Sequence, residues 1–592
     1  MNLSCFYFSK GLTIIVLFWI SYIMVMAQYP KFQTYEQYYT PMIGFNPYHE
    51  QGWINEATYN YQYKLRPVHN KEGDATFISY KPNTVYDHLQ IASEQTYILP
   101  QDEGHAIVAL NLIASNIDQL SVVLSTLNEQ ENIIQQQQYR FVPTLQSKTY
   151  NCSIDISGGR LLRVSLYLRG EKKKEGQILM HPTLIYVDGH SIMQASVPQT
   201  TIIPIKNYTA TPNTLIPFQQ FPSQARIIGF GESVHHNPTL QKAIYHNLLQ
   251  LIKSKQSRLI LIERYSALAL ALQYFIHHPE YKLYYPIEAI EQEFLDSLRI
   301  INQNRSDKEK VEIAGLDINY IHNEGQGTLI DIYDFLTSIP NWRKQQFCYP
   351  LIIALAEQKH KAALQAYQEH QTLFEQWLSP LLAKKIERYI QQDEMLPKDY
   401  TCFTKRDSVM AENVTWLMQQ VSSPRTLLYM HAQHISKGSC TPIPNSTPMG
   451  NYLVQKYGEQ YQPLLVTYGT GDGSLLKDTL VSKEGLAIPP IDSFEGQTLL
   501  LPYTSVYVPF DNTFNHIQKA RFRATPFLSH CFFPMNLYRR FSGALFVRDC
   551  PFIPYITSSL EERLQAYEEA IKRRKATVKQ LRRFDSGRRL TR

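Results

Sequence analysis

The sequence predicts a multidomain protein: an all-β sandwich, jelly-roll-like, followed by an α/β domain with a mainly parallel sheet and inserted long helices. Three observations predict it. Short aliphatic and β-branched runs recur at regular spacing up to about residue 195, parted by polar or Gly-containing turns. From Arg226 onward, strand-like runs alternate with helical stretches, the pattern of a parallel sheet with crossover helices. A Thr/Pro-rich stretch, Pro198 to Pro222, lies between the two regimes. At 592 residues the chain has room for two or three such units.

Residues 1–27 read as a secretory signal. Lys10 precedes the apolar run Leu12 to Met26, and Val25, Met26 and Ala27 offer a cleavage site before Gln28. The run is short for a bilayer span of about 20 residues. The protein is therefore expected to be exported: periplasmic, secreted or at the cell surface of a bacterium. Six cysteines follow the signal, with no C-x-x-C pair. That excludes a zinc knuckle and a thioredoxin motif, and export permits disulfides.

Residues 28–195 form the expected sandwich, with strands at Gln95–Pro100, Ile107–Leu112, Leu120–Leu124 and Leu161–Leu168. Residues 196–220 read as an extended linker, because each proline fixes its own φ and restrains the residue before it. The α/β unit spans 221–558. It opens with Ile227–Gly231 then Leu240–Lys253, Leu259–Glu263 then Ala267–Ile276, and Val311–Ile318 then Leu329–Ser338. Residues 346–395 lack glycine and predict long helices; Thr426–Met430, Pro463–Tyr468, Thr498–Leu501 and Ala544–Val547 predict later strands. Residues 559–592 form a basic helical tail, with 11 Lys or Arg against 5 Asp or Glu. That excess matches the whole net charge of +6, so the body is balanced and nucleic acid is not an expected partner.

The chemistry gathers at strand ends, the rim where open α/β sheets bind ligands. Glu232 and His235 follow Ile227–Gly231, Glu263 ends the next strand, and His431 and His434 follow Leu427–Met430. Gly229 and Gly231 are expected to let the backbone turn sharply, with a helix opening near Pro238. A neutral imidazole can accept a proton from water, and does so better when a carboxylate orients its other nitrogen. Glu263 is the first candidate for that carboxylate and Glu232 the second. His431 and His434 could hold a metal, donate to an oxyanion or touch substrate. Asp317, ending a further strand, either supports the site or caps the next segment. There is no G-x-S-x-G elbow, no Walker loop and no H-E-x-x-H.

These residues in this order resemble the erythromycin esterase family: Gly231-Glu232-x-x-His235, a strand ending in Glu263, Gly315-x-Asp317, His431-x-x-His434, Met449-Gly450-x-x-Leu453 and Tyr457-Gly458, closing with a strand from Phe541. The resemblance covers about residues 221–558. It implies a hydrolase that cleaves a carboxylic ester or lactone without a serine nucleophile. His235 would be the general base and Glu263 would tune it. Glu232, His431 and His434 would complete the site and stabilise the oxyanion. Where the family carries an arginine in the helix after the first motif, this chain has Lys242 and His246, and Glu263 is followed by Arg264 and Tyr265. Asp317, Lys242, Arg264 and His246 are thus the substrate-binding candidates. The esterase reading requires no cofactor, although Glu232, His235, His431 and His434 would suit zinc, which would make the protein a metal-dependent hydrolase of another bond. Gly44 to Trp53 and Leu166 to Gly189 resemble galactose-binding-like jelly rolls, a family rich in carbohydrate-binding modules. That adds a glycan as a candidate partner beside the small-molecule ester, and with it a third reading, a non-catalytic glycan- or partner-binding surface protein.

Overall fold

The computed structural model describes residues 45–46, 49–50, 63–70, 73–80, 90–170, 174–196, 198, 204–235, 237–318, 327–395, 403–438, 447–470, 489–522, 532–550 and 560–589. The expected signal segment lies outside them, as do Cys402, Cys440 and Cys531. Cys152, Cys348 and Cys550 are buried and unbridged.

Two antiparallel sheets make the sandwich. One runs in the order Gln90–Ile98, Leu161–Gly170, Ile117–Leu127, Ile133–Phe141; the other centres on His105–Ser115. Alternating residues point inward, so Val122, Leu124, Val164 and Leu166 share one core with Val108, Leu110 and Ile154. The polar strand Ile133–Phe141 forms an outer edge.

The α/β unit is built on an eight-stranded sheet. Its labelled elements are β1 (Ile227–Glu232), α1 (Pro238–Lys253), β2 (Leu259–Tyr265), β3 (Glu312–Asp317), α2 (Phe403–Gln420), β4 (Thr426–His431), α3 (Ala432–Ile435), β5 (Tyr461–Thr470), β6 (Ser505–Pro509) and β7 (Gly543–Asp549). The order across the sheet is Thr209–Ala210, β6, β7, β5, β1, β4, β2, β3. The run from β7 to β3 is parallel; β6 and Thr209–Ala210 add an antiparallel edge. Both faces are covered by helices, which is why the central strands read as continuous apolar runs.

Four local expectations change. The Pro-rich stretch is folded onto the α/β unit: Thr209–Ala210 pairs with β6, and Ile216 and Phe221 join the core. Thr498–Leu501 is no strand but follows on from the short helix Phe494–Thr498, and β6 takes the edge instead. Of the helices between Tyr349 and Met395, only Pro380–Met395 is long. The tail helix Leu560–Arg589 is not wholly solvated, since Leu581 enters the main core and Arg574 lies over Tyr333.

Candidate active site

The parallel register sets Glu232 of β1 level with His431 of β4, at the carboxyl ends of adjacent central strands. The chain leaves β1 through Ser233, Val234 and His235 and enters α1 at Pro238, whose N-terminus Asn237 caps by accepting from Thr239 and Leu240 N–H. Gly229 and Gly231 do not make this turn. Both lie within β1, and a Cβ on Gly231 would stand 2.6 Å from Ile435 and 2.7 Å from Ala432. Glycine is needed there so that α3, which carries His434, can lie against the strand.

His235 Nδ1 bonds Glu232 Oε1 at 2.8 Å, and the phenol of Tyr429 donates to Glu232 Oε2 at 2.8 Å. The carboxylate that orients His235 is therefore Glu232, not Glu263. A third of the His235 side chain is open to solvent, against 6% for Glu232. Burial acts to lower its pKa, but Glu232 and Glu263 outweigh it and hold it above 6.5. With Nδ1 donating to the carboxylate, Nε2 carries the lone pair.

Glu263 does other work. The pairing of β2 with β3 shifts between Ile262 and Tyr265, and Glu263 falls in that irregularity. Its Oε2 accepts the His431 N–H at 2.6 Å, and its Oε1 lies 3.1 Å from His434 Nε2. Burial opposes its ionisation, but His434, His235 and Arg406 drive its pKa well below the usual carboxylate range. His434 Nδ1 in turn meets Asp407 at 2.9 Å. Burial acts to lower the His434 pKa; Asp407 and Glu263 on either side prevail and push it up to about 9. His434 is thus held toward its protonated form.

His431 is the opposite case. Burial and the neighbouring His235 hold its pKa well below 6.5. The two rings stand 4.7 Å apart, centre to centre. The Gln433 N–H donates to His431 Nδ1 at 3.2 Å, so the ring proton sits on Nε2. That Nε2 is buried and lies by the Ser233 backbone, whose hydrogen bonding acts to raise the ring's pKa.

Of the four proposed substrate contacts, Asp317 joins the cluster through Arg406, and Arg264, Lys242 and His246 lie outside it. Both Asp317 oxygens are taken by Arg406 at 2.7 Å. Arg264 pairs with Glu291 at 2.7 Å, behind Tyr245, whose ring meets Tyr429 edge-on. Lys242 is exposed and His246 half-buried on α1, and neither bonds to the cluster among the described residues. A zinc set also fits poorly. His434 is charged and engaged at both nitrogens, and Glu232 is held by His235 and Tyr429. Among the described residues no three His, Cys, Asp or Glu side chains are placed to hold a metal ion together.

Three residues escaped the sequence reading. Arg406 and Asp407 sit in the first turn of α2, inside the ordinary polar run Thr404 to Ser408. Arg406 also reaches Glu263 at 3.5 Å, and Asp407 accepts Met449 N–H at 2.7 Å. Tyr429 did leave a signal: a phenol inside a fully buried strand needs a partner.

A comparison of the sequence with family models bears on this half of the site. Residues 343–530 match the erythromycin esterase family model. The match takes in Arg406, Asp407, His431 and His434, and the fold brings Glu232, His235, Glu263 and Asp317 to them from outside the matched span. No curated protein matches the chain. Similar solved structures include a Bacillus cereus protein (17% identity, 55% of this chain and 89% of that one, TM-score 0.41) and an erythromycin esterase EreC variant in its open conformation (15%, 55% and 90%, TM-score 0.32). A family 11 carbohydrate-binding module from Clostridium thermocellum is similar at 12% identity over 22% of this chain and 84% of that one, TM-score 0.17.

Proposed function

We propose that the erythromycin-esterase-like unit is a serine-independent hydrolase of a carboxylic ester or lactone, driven by water activated at His235. Glu232, fixed by Tyr429, holds the ring so that Nε2 faces the reaction space. Water bound there gives its proton to Nε2, and its oxygen adds to the ester carbonyl. The carbonyl oxygen becomes an oxyanion and takes a hydrogen bond from His431 Nε2–H. The C–O bond then breaks, and the leaving alkoxide recovers the proton from His235. Carboxylic acid and alcohol are released, the acid ionises in solvent, and the base is restored.

What supports the reading is the opposition of the two rings. One imidazole is oriented by a carboxylate and held above its ordinary pKa; 4.7 Å away the other is held neutral, with its ring proton on Nε2. One is suited to accept a proton and the other to donate a hydrogen bond. His434, Glu263, Arg406, Asp407 and Asp317 form the charged frame behind them. A general base contributes about 10²–10⁴-fold, so His235→Ala should lower kcat/KM on aryl and lactone esters by about that factor. Unchanged hydrolysis across the panel would remove the base and the reading with it. Export, a leader on residues 1–27 and glycan binding by the sandwich remain separate proposals, tested by the N-terminus of the mature protein and a glycan array.

A further inference from the structure

One turn of the sandwich reaches the wall of the site. Residues 128–132 join the strands Ile117–Leu127 and Ile133–Phe141. At its tip Glu131, with φ at 58°, pairs with Arg540: Nη2 to Oε1 at 2.8 Å and Nε to Oε2 at 3.1 Å. The Arg540 side chain is fully buried and that of Glu131 is 10% exposed. Around the pair, Glu129 accepts the Ile517 N–H at 2.6 Å and Arg539 donates to Asn132 at 2.7 Å. Ile517 packs into the sandwich core itself.

The other side of Arg540 faces the histidines. Its carbonyl accepts the Lys437 N–H at 2.9 Å, just past α3. Its guanidinium stands 5.8 Å from the ring centre of Phe522, which is fully buried and 6.3 Å from the ring of His431. A buried cation that loses a bidentate carboxylate is strongly disfavoured and moves or draws in water. If Arg540 moves, the Lys437 bond and the Phe522 ring move with it.

We propose that Glu131, supplied by the sandwich, is a positioning residue of the hydrolytic site: it holds Arg540 as the brace that fixes the His431 turn. The sandwich is then part of the enzyme's working frame rather than a tethered accessory. This rests on the reading of His431 as the oxyanion donor, but the brace itself can be read without turnover.

The test uses the full chain, with kcat and KM on an aryl ester and NMR of labelled histidine rings, the His431 signal assigned through His431→Asn. Glu131→Gln should lower kcat about tenfold or more with KM little changed, as expected for slight misplacement of a reacting group, and should move the His431 ring signal. Glu131→Asp keeps the charge on a shorter arm and should fall between. Glu129→Gln loosens the same contact without touching Arg540, and should leave kcat and the His431 signal in place. A folded Glu131→Gln protein that matches wild type in both readouts overturns the proposal, as does Glu129→Gln behaving like Glu131→Gln. Should Glu131→Gln not fold, an Asp variant indistinguishable from wild type overturns it. If the wild type cleaves no ester, the function reading fails alone, and the movement or stillness of the His431 signal decides the brace.

Discussion

His434 should make the α/β unit less stable as pH rises past neutrality. The ring is 3% exposed and lies between Asp407 and Glu263, which raise its pKa from 6.5 to about 9 against the cost of burial. Below pH 6.5 it is charged in the folded and the unfolded chain, and its contribution is complete. Between 6.5 and 9 the unfolded chain loses the proton first. Above 9 both states are neutral and the contribution is gone. At about 1.4 kcal/mol per pH unit, the rise amounts to about 3 kcal/mol in total. The assay is urea unfolding followed by tryptophan fluorescence from pH 6 to 9.5, on wild type and His434→Gln. Other groups titrate in this range, notably Lys437, which burial lowers to about 8. The difference between the two proteins isolates His434. That difference should shrink by about 3 kcal/mol across the window. A constant difference, or an NMR titration of His434 with its midpoint at or below 6.5, would refute the argument.

Three further outcomes are expected. Tyr429→Phe removes one donor from Glu232, a hydrogen bond to a charged group worth about 1.5–3 kcal/mol, so kcat on an aryl ester should fall about tenfold or more; an unchanged kcat would show that Glu232 does not need it. The acid limb of the kcat/KM–pH profile should lie above pH 6.5, because His235 must be neutral to act and its pKa is raised; Glu232→Gln should move the limb downward, and a limb that stays put would uncouple the two residues. Gly231→Ala drives a Cβ into Ile435 and Ala432, and should destabilise the unit by about 1–3 kcal/mol, read as a lower thermal midpoint with the His431 NMR signal displaced.

The strand ends were legible because buried parallel strands read as apolar runs, and a polar residue closing such a run is conspicuous. Glu232, His235, Glu263, His431 and His434 were all found that way, and the fold brings all five together. The pairing among them was not legible. Glu263 turns toward His431 and His434 because the β2–β3 register slips between Ile262 and Tyr265, and no residue type announces that slip. Arg406 and Asp407 stayed hidden for a different reason: charges in the first turn of a helix look like solvated surface. Lys242 was a candidate because it stands where the resembled family carries an arginine, and it lies on the exposed side of α1. The prolines before Phe221 predict an extended chain, yet short 3-10 turns interrupt it at Pro212–Thr214 and Phe218–Gln220, and its place on the sheet edge depends on β6, almost 300 residues later.

The position of β4 bears on how the chain acquires its fold. β1 and β2 are synthesised early yet never pair with each other, because β4 lies between them. Until residue 431 has left the ribosome, the middle of the sheet is an open slot with two unsatisfied edges, and Glu263 faces it without His431 and His434. Fragments that stop short of Thr426 should therefore be poorly soluble, and the insertion of β4 should join β1 to β2 and bring His431 and His434 to the reaction centre in the same event.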